Sequence, residues 1–392
     1  MKIIKAKRII TGNGTVFIDH AILVQQDRIQ SIQPWQSGPF EGDVLDLGER
    51  TVLPGLIDTH LHLSLDPANQ KAFYDPDQNP LEIVVRTVAN AQSALQAGVI
   101  TVGDCGAINA IIFPVRDAIR RGELIGPRIL TSGTPLVPAG GHGAEIGKIA
   151  CGVEGVTVAV RELAQAGVDF IKVMATAGGG GKPGESHYGL EELSAIREEA
   201  EHYHLKVAAH AHGSQGIRAC VEAGIQRIEH CTFYNGEAGF DFDPEIAERI
   251  ARQGIIVSPT NVIDYRRIQR GGKGAPRPEL NEIWRNLLEH GVAFAASSDA
   301  GVTDLFYNDY ALIPELLVSE LGMTPMQALV ACTCTAAQAL GMDSEIGTLE
   351  PGKFADLVAV IGDPLENISA LRNIELVLQA GKPVYCAGQF NA

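Results

Sequence analysis

Two histidines spaced by one residue, His60 and His62, end the apolar run PGLIDTHLH. If this run forms a β-strand, side chains two positions apart point to the same face, and the two Cα atoms lie about 7 Å apart. Imidazole is the commonest side-chain ligand of metal ions in proteins. The pair alone is a weak indication of a metal site, so the hypothesis depends on further ligands that reach the same place.

Four later apolar runs also contain side chains that could take part in a metal site. The runs are DFIKVMA, LKVAAHAH, QRIEHC and VAFAASSDA, and they carry Lys172, His210, His230 and Asp299. In a barrel of parallel strands the carboxyl ends of all strands meet at one mouth, where these side chains converge. Burying them together without a ligand would carry a large desolvation cost. We therefore predict one metal site built from His60, His62, Lys172, His210, His230 and Asp299.

Lys172 needs a chemical explanation, because an ammonium group repels a cation instead of binding it. Desolvation favours the neutral amine, which can add carbon dioxide to give a carbamate, N6-carboxylysine. The two carbamate oxygens can bridge two divalent metal ions about 3.5–4 Å apart. One ion would bind the histidine pair and Asp299, and the other would bind His210 and His230. This nitrogen-rich set favours zinc, although manganese, cobalt and iron stay open.

Asp299, in SSDAG, is the candidate general acid and base. One carboxylate oxygen binds metal, while the other accepts a proton from the metal-bound water. The resulting hydroxide attacks a carbonyl group, and Asp299 then returns the proton to the leaving nitrogen. His142, in the glycine-flanked loop PAGGHGAE, can donate to the carbonyl oxygen in the transition state and so contact the substrate.

Three further side chains near the strand ends are candidate substrate contacts, namely Tyr188, His212 and Tyr234. His212 shares a face with His210 in HAHG and is the alternative metal ligand on that strand. We favour His210 as the ligand, because His212 abuts a glycine at the exit of the strand, where it can line the pocket. Tyr188 and Tyr234 follow the fourth and sixth strands of the pattern described next.

The middle of the chain alternates between strand-like and helix-like segments. Eight short apolar runs are followed by amphipathic stretches such as LEELSAIREEAEHYH and DPEIAERIARQG. Many of these stretches end in Ala-Gly or Gln-Gly, a signal for a helix C-terminus. Eight such units predict an α/β fold, a closed (β/α)8 or TIM barrel, over residues 55–344. A doubly wound sheet is the alternative, although it more often has five or six strands and a glycine-rich first turn.

Both ends of the chain differ from the middle. Short runs such as KIIKAKRII, AILVQQDRIQSIQ and IELVLQAGKPVYCAGQ are separated by Gly, Asp and Asn turns, which is typical of strands. We predict one small β domain built from residues 1–54 and 345–392, with the barrel between them.

The composition excludes several classes of partner. The net charge of −16 over 392 residues disfavours nucleic acid, because phosphate binding requires clustered Lys and Arg. We expect neither a secretory signal nor a membrane span, since no apolar run approaches about 18 residues. Seven scattered cysteines favour reduced thiols and a cytoplasmic protein. The expected partner is a small-molecule amide or peptide substrate, and a homo-oligomer is compatible with the sequence.

The pattern resembles the amidohydrolase superfamily in its binuclear, lysine-carbamate subtype. The resemblance covers nearly the whole chain and is carried by PGLIDTHLH, FIKVMATAGG, VAAHAHG, IEHC and SSDAG. The tail IGTLEPGKFADLVAV resembles the segment with which these enzymes return to a small β-sandwich. The stretches GPRILTSG, GGHG and HAHGSQGIRACVEAGIQRIEH resemble the imidazolonepropionase-like and prolidase-like branch, which includes dipeptidases that cleave Xaa-Arg, Xaa-Lys or Xaa-Pro bonds. The resemblance implies hydrolysis of an amide bond in a dipeptide, an N-acyl amino acid or a cyclic amide.

Two loops depart from those relatives, and other functions stay open. After the eighth strand the chain reads GVTDLFYNDY in place of a Pro-His-Gly stretch, and the loop GGGGKPGESHYG after the fourth strand also differs. Such loops shape the pocket of a barrel enzyme, so the chemistry carries over further than the substrate does. The alternatives are an esterase, lactonase or phosphotriesterase and a mononuclear cyclic amidase or deaminase similar to imidazolonepropionase. A non-catalytic scaffold is disfavoured because all six ligands are present.

Overall fold

The computed structural model describes residues 1–69, 77–106, 111–178, 182, 184–269, 277–302 and 304–387. Within these ranges the strands are β1 (Lys2–Ile10), β2 (Val16–Gln25), β3 (Arg28–Pro34), β4 (Asp43–Asp46), β5 (Thr51–Pro54), β6 (Leu56–Leu61), β7 (Val99–Asp104), β8 (Arg128–Thr131), β9 (Leu136–Val137), β10 (Lys148–Ile149), β11 (Ile171–Met174), β12 (Val207–Ala211), β13 (Arg227–His230), β14 (Ile256–Ser258), β15 (Ala293–Phe294), β16 (Leu357–Val360), β17 (Ile374–Gln379) and β18 (Lys382–Cys386).

The helices alternate with the strands of the middle region. They are α1 (Pro80–Gln96), α2 (Ile112–Arg120), α3 (Gly152–Gln165), α4 (Leu190–His202), α5 (Ser214–Ala223), α6 (Pro244–Gln253), α7 (Val262–Gln269), α8 (Arg277–Glu289), α9 (Leu312–Ser319), α10 (Pro325–Ala331) and α11 (Cys334–Leu340). The predicted C-terminal signals act as expected at two of them, because Gly224 and Gly254 end α5 and α6 with left-handed backbone. Asp243 starts α6 by accepting hydrogen bonds from two backbone amides of its first turn.

Strands from both ends of the chain form one sheet in the order β18-β17-β16-β5-β1-β2-β3, and β4 also pairs with β1. The junction between the two ends is the antiparallel pair β5–β16, which aligns Val52 with Ala359. One apolar cluster on this sheet contains Ile4, Ile22 and Leu376, all buried. The two β-rich ends predicted from the sequence therefore come together in space.

The strands of the middle region are parallel and lie in two sheets, β6-β7-β8 and β10-β9-β11-β12-β13-β14-β15. Each of the eight apolar runs contains a strand, which with the alternating helices confirms the predicted α/β class. Backbone hydrogen bonds also connect the two sheets. The Asp299 amide donates to the His60 carbonyl (2.7 Å) beyond β15, and the Asp169 amide donates to the Thr131 carbonyl (2.8 Å) at the end of β8.

Two findings concern the expectations from composition. All seven cysteines lie in the described part of the chain, and no two of them are joined by a disulfide bond. Among the described residues, no helix combines the length and the apolar character that a bilayer crossing requires.

Gly103 in β7 shows how tightly the strands that carry the site pack. A Cβ atom at this position would lie 2.5 Å from the Thr59 carbonyl oxygen of β6 and 2.9 Å from Leu340 of α11. We expect Gly103→Ala to lower the free energy of unfolding by about 1–3 kcal/mol, because the neighbouring backbone must move. Chemical denaturation of the purified variant measures this change.

The matched control is Gly155→Ala in α3, where nothing lies within 4 Å of the added methyl group. This substitution should raise stability by up to about 1 kcal/mol, because alanine is the better helix former. If both variants shift stability in the same direction, packing between β6 and β7 is not the constraint described.

Candidate metal centre

The six predicted ligands are all buried, with 0 to 7% of each residue exposed. They come from five strands or strand exits: β6 for the histidine pair, β11 for Lys172, β12 for His210, β13 for His230 and the segment after β15 for Asp299. Five of them lie at or near the carboxyl end of their strand, and Lys172 is the second of the four residues of β11. The structure therefore brings together the side chains that the sequence predicts to converge.

The first half of the cluster centres on the carboxylate of Asp299. Its Oδ1 lies 3.4 Å from Nε2 of His60 and 3.3 Å from Nε2 of His62. Although burial raises the pKa of Asp299, the neighbouring His60 and His62 hold it below its ordinary value. Asp299 is therefore an anion that faces two imidazole nitrogens.

The second half of the cluster is a group of three imidazoles. The ring centroid of His210 lies 4.6 Å from that of His230 and 4.7 Å from that of His212. The two halves meet, because ligand atoms of His60, His230 and Asp299 lie within 4.8 Å of one another. Burial and the neighbouring imidazoles lower the pKa of His210 and of His230 well below the ordinary value. Both rings are thus neutral near pH 7 and keep a lone pair for a cation.

Hydrogen-bond acceptors determine which nitrogen carries the proton in three of the rings. His60 Nδ1 lies 3.0 Å from a carboxylate oxygen of Glu229, and His62 Nδ1 lies 3.1 Å from the Gly106 carbonyl oxygen. His230 Nδ1 lies 2.7 Å from the hydroxyl of Thr260, whose own proton goes to the Pro259 carbonyl. Because each partner accepts, Nδ1 donates in all three rings, and in His60 and His230, whose pKa is lowered chiefly by burial, the lone pair is on Nε2. In His62 burial also lowers the pKa, but the hydrogen bond between Nε2 and Asp299 raises it above the ordinary value.

His210 has the opposite arrangement. Its Nε2 lies 3.4 Å from the Ala177 carbonyl oxygen, so this nitrogen donates and the lone pair is on Nδ1. The competing ligand, His212, bonds the Thr232 hydroxyl through Nδ1 at 2.9 Å. Ligand atoms of both rings and of His230 lie within 4.8 Å of one another, so the geometry brings His212 to the cluster together with His210.

Lys172 is the least expected member of the group in physical terms. The residue is 0% exposed, and its Nζ has no hydrogen-bond partner among the described residues. A buried amine without a partner costs free energy, since it loses its water and gains nothing in return. Its charge acts on His60, His210, His230 and Asp299, which therefore lie near it and whose side chains can bind divalent cations.

Unusual backbone conformations occur at two ligands. His230 has φ of +67° and Asp299 has φ of +56°, which non-glycine residues rarely adopt. Successive side chains of a regular strand point to opposite faces. The turn at His230 breaks this alternation, so that both Glu229 and His230 reach His60.

The predicted substrate contacts are found in different settings. His142 packs its ring 4.8 Å from that of His210, and a Cβ atom on Gly178 would lie 2.6 Å from the His142 ring, so only glycine allows this approach. Tyr234 is half-buried, and its amide donates to the His212 carbonyl. Tyr188 differs, because it is 2% exposed and its hydroxyl donates to the Ala150 carbonyl. Tyr188 thus has a packing role, and its position lends no support to the predicted substrate contact.

Sequence reasoning missed three buried acids behind the ligands. Asp58 accepts from the Ser298 amide (3.0 Å) and hydroxyl (2.5 Å), and burial raises its pKa to about 7. Asp104 accepts a hydrogen bond from the Gly106 amide, and the carbonyl of the same glycine accepts one from His62. Glu229 holds His60, and although burial raises its pKa, Arg227 and His60 keep it below the ordinary value. The signal for Glu229 was RIEH, a charged pair at strand spacing directly before a ligand.

This chemistry is suited to divalent metal ions. The pKa values of His60, His210 and His230 are lowered, so that these rings are neutral near the ionised Asp299, and the Lys172 amine beside them has no partner among the described residues. Borderline cations such as zinc prefer this combination of nitrogen and oxygen donors.

Comparisons with known proteins show the family to which the chain belongs. The profile of the Amidohydrolase family matches residues 51–384. Ochratoxinase of Aspergillus niger is 27% identical, over 97% of this chain and 85% of its own length. Its crystal structure matches with a TM-score of 0.87 at 25% identity, over 99% of this chain and 96% of that one.

Two further proteins are similar over most of their length. The crystal structure of a Xaa-Pro dipeptidase with bound methionine matches with a TM-score of 0.86 at 28% identity, over 98% of this chain and 100% of that one. Imidazolonepropionase of Cutibacterium acnes is 25% identical, over 87% of this chain and 83% of its own length. This chain therefore belongs to the amidohydrolase family, in the branch of imidazolonepropionase-like and prolidase-like enzymes, and is a hydrolase that acts on amide C–N bonds.

Proposed function

We propose that this protein is a binuclear, metal-dependent amide hydrolase in which Lys172 is carboxylated. The observation that carries the proposal is the buried Lys172 amine, which has no partner among the described residues and lies within a group of metal-ligating side chains. A carbamate on this amine converts a costly buried group into a ligand. A mononuclear enzyme would leave the amine unexplained, which is why we favour two metal ions.

The architecture proposed around this site is a closed (β/α)8 barrel over residues 55–344. The hydrogen bonds that join the exit of β15 to β6 and Asp169 to the end of β8 support closure. Similarity to the ochratoxinase and dipeptidase structures supports the same barrel type. The sheet formed by β1–β5 and β16–β18 supports a separate small β-sandwich domain of residues 1–54 and 345–392.

The donor atoms suggest how the two ions, which we propose to be zinc, would be shared. Nε2 of His60 and of His62 together with Asp299 would hold one ion, and His210 and His230 would hold the other. The carbamate of Lys172 would contact both. When bound, such ions lower the pKa of a coordinated water and polarise the substrate carbonyl.

The protein's own groups then handle protons and orientation. Asp299 is ionised and can accept the proton of the attacking water, then deliver it to the leaving nitrogen. His142, beside His210 on a glycine-flanked loop, can donate a hydrogen bond to the carbonyl oxygen as negative charge develops there. The backbone turns at His230 and Asp299 fix these groups in advance of substrate binding.

The substrate class that we propose is a dipeptide or an N-acyl amino acid, with a cyclic amide as the second choice. The support is the names of the relatives: a Xaa-Pro dipeptidase with bound methionine, an ochratoxinase and an imidazolonepropionase. His212 and Tyr234, which lie next to each other beyond β12 and β13, are the proposed substrate contacts together with His142.

The direct test is a substrate screen with zinc-loaded protein, in which the metal content of the same sample is measured. We expect hydrolysis of at least one dipeptide or N-acyl amino acid and two zinc ions per chain. Turnover of esters or phosphotriesters alone, with no amide cleaved, would contradict the proposal.

Substitutions of the proposed ligand and base should remove turnover without unfolding the protein. We expect Asp299→Asn to lower kcat at least about 100-fold, because the amide cannot shuttle a proton. His60→Ala should lower activity comparably through loss of metal, as measured by elemental analysis of the purified variant. Near-full activity of either variant would show that the assignment is wrong.

Carboxylation of Lys172 can be tested by chemical rescue. Lys172→Ala should be inactive and should regain part of its activity when short carboxylic acids are added, because a free carboxylate can occupy the vacated space. Kinetics with increasing acetate or propionate measure the rescue. Unchanged metal content without any rescue would count against the carbamate.

Lys172→Met separates stability from metal binding. The apolar side chain removes a buried, unpartnered amine, so the metal-free variant should be about 1–3 kcal/mol more stable than the metal-free parent. Added zinc should stabilise the parent much more than the variant. The matched control is Lys206→Met, which removes an amine that already donates to the Gln338 carbonyl and should therefore not stabilise the protein.

A further inference from the structure

Arg227 and Glu229 form an ion pair beneath the metal cluster. Both lie on β13, two positions apart, and they are 2% and 0% exposed. The Nε of Arg227 donates to Oε1 of Glu229 at 2.7 Å. The other carboxylate oxygen, Oε2, lies 3.0 Å from Nδ1 of His60. The pair and the histidine therefore form one chain of hydrogen bonds that ends at a proposed metal ligand.

Arg227 is held firmly by two further contacts. Its guanidinium lies over the ring of Phe170, 4.8 Å from the ring centroid, and Nη2 lies 3.8 Å from Sγ of Cys105. A guanidinium has only donors, so the atom of residue 229 that faces Nε must be an acceptor. Both oxygens of Glu229 meet this requirement, so one accepts from Arg227 and the other is left to accept from His60.

We propose that Arg227 and Glu229 are a positioning pair that sets the proton of His60 on Nδ1 and thereby directs the lone pair of Nε2 to a metal ion. The inference rests on the proposed metal-dependent function. Both neighbours of the ring are carboxylates that can only accept, but Glu229 lies closer to Nδ1 (3.0 Å) than Asp299 lies to Nε2 (3.4 Å), so Nδ1 donates and Nε2 keeps the lone pair.

A purely structural role explains the pair less well. Desolvating two charges consumes most of what their attraction returns, so buried ion pairs contribute little to stability compared with apolar side chains. In this chain the pair has a third partner, a ring that must present one particular nitrogen. A salt bridge that only stabilised β13 would not need to contact His60.

Glu229→Gln tests the proposal because it keeps the shape and changes the donor pattern. Arg227 would draw the carbonyl oxygen of the introduced amide, which leaves its NH2 group facing His60. His60 would then accept on Nδ1 and carry its proton on Nε2, the nitrogen that should bind metal. Loss of the correct tautomer with intact geometry is known to abolish the function of a histidine in other enzymes.

Two readouts follow on the full-length protein. Nitrogen-15 spectra of the histidine rings in the metal-free protein, with the His60 signals identified from a His60→Gln variant, should show the proton move from Nδ1 to Nε2. Competition with a chromophoric chelator should show zinc affinity of one class of site weakened about 10–100-fold. The other class should keep its affinity.

The double variant Arg227→Met with Glu229→Gln provides the rescue. Without the guanidinium, the carbonyl of the introduced amide is able to turn to His60, so the proton should return to Nδ1. Most of the zinc affinity that Glu229→Gln loses should then be regained. A structural role predicts the reverse, because the second substitution would only add damage. Glu229→Gln alone leaves the buried charge of Arg227 without its carboxylate and could therefore fail to fold. The double variant removes both charges, so the proposal can still be tested with it.

Asp356→Asn is the matched control. Asp356 is also buried and also pairs with an arginine, Arg128, at 2.7 Å, but its other oxygen accepts from the Ala380 amide instead of a histidine. This variant should leave the His60 tautomer and the zinc affinity unchanged.

The outcomes separate the two proposals. If Glu229→Gln leaves the His60 tautomer and the zinc affinity unchanged, the positioning role is overturned while the proposed metal-dependent function stands. If the tautomer changes as expected but the unaltered protein binds no zinc, the positioning of His60 is supported and the proposed function is wrong. A double variant that is worse than Glu229→Gln alone would also overturn the positioning role.

Discussion

A histidine binds a cation only if the proton is on its other nitrogen, and the centre of this protein depends on that condition. His60, His62 and His230 each have an acceptor at Nδ1: a carboxylate, a backbone carbonyl and a threonine hydroxyl. Three chemically different partners thus produce the same result, a proton on Nδ1 that leaves Nε2 facing the site. His210 reaches the complementary state through the Ala177 carbonyl. The acceptors come from different strand ends, so the tautomers are correct only when the strands are in register.

The site is costly in free energy, and the surrounding fold must offset that cost. A buried amine, three buried acids and two ligands with left-handed backbone each oppose folding, the backbone terms by about 1–3 kcal/mol per residue. The compensation comes from apolar packing of the helices against the parallel strands, which forms the main core. The residues at the strand exits thus depart from the usual preferences for burial of apolar groups and for right-handed backbone, whereas the rest of the fold follows them. This distribution is expected where structure serves chemistry.

The sequence predicted which side chains converge better than it predicted what holds them. The six proposed ligands could be picked out because each lies in or at the end of an apolar run, and strand period alone places His60 beside His62. The partners could not be found in this way, since the contact between Glu229 and His60 joins residues 169 positions apart. The short strands β9 and β10, within the long connection after β8, were also missed, because a strand of two residues is too short to show an alternation of apolar and polar side chains. For Tyr188 the sequence suggested a pocket residue, whereas its hydroxyl is used by the Ala150 carbonyl.

Chemistry and specificity occupy different parts of the chain, and this division explains why relatives with different names share one structure. Similarity to ochratoxinase and to the Xaa-Pro dipeptidase gives TM-scores of 0.87 and 0.86, although identity is only 25% and 28%. The ligands lie on strand ends, where neighbours on both sides constrain them. Tyr234, a proposed substrate contact, lies on a connection that can change without moving the proposed ligands. A new substrate therefore requires new loops, whereas the bond that is broken depends on the ligands and on the acceptors behind them.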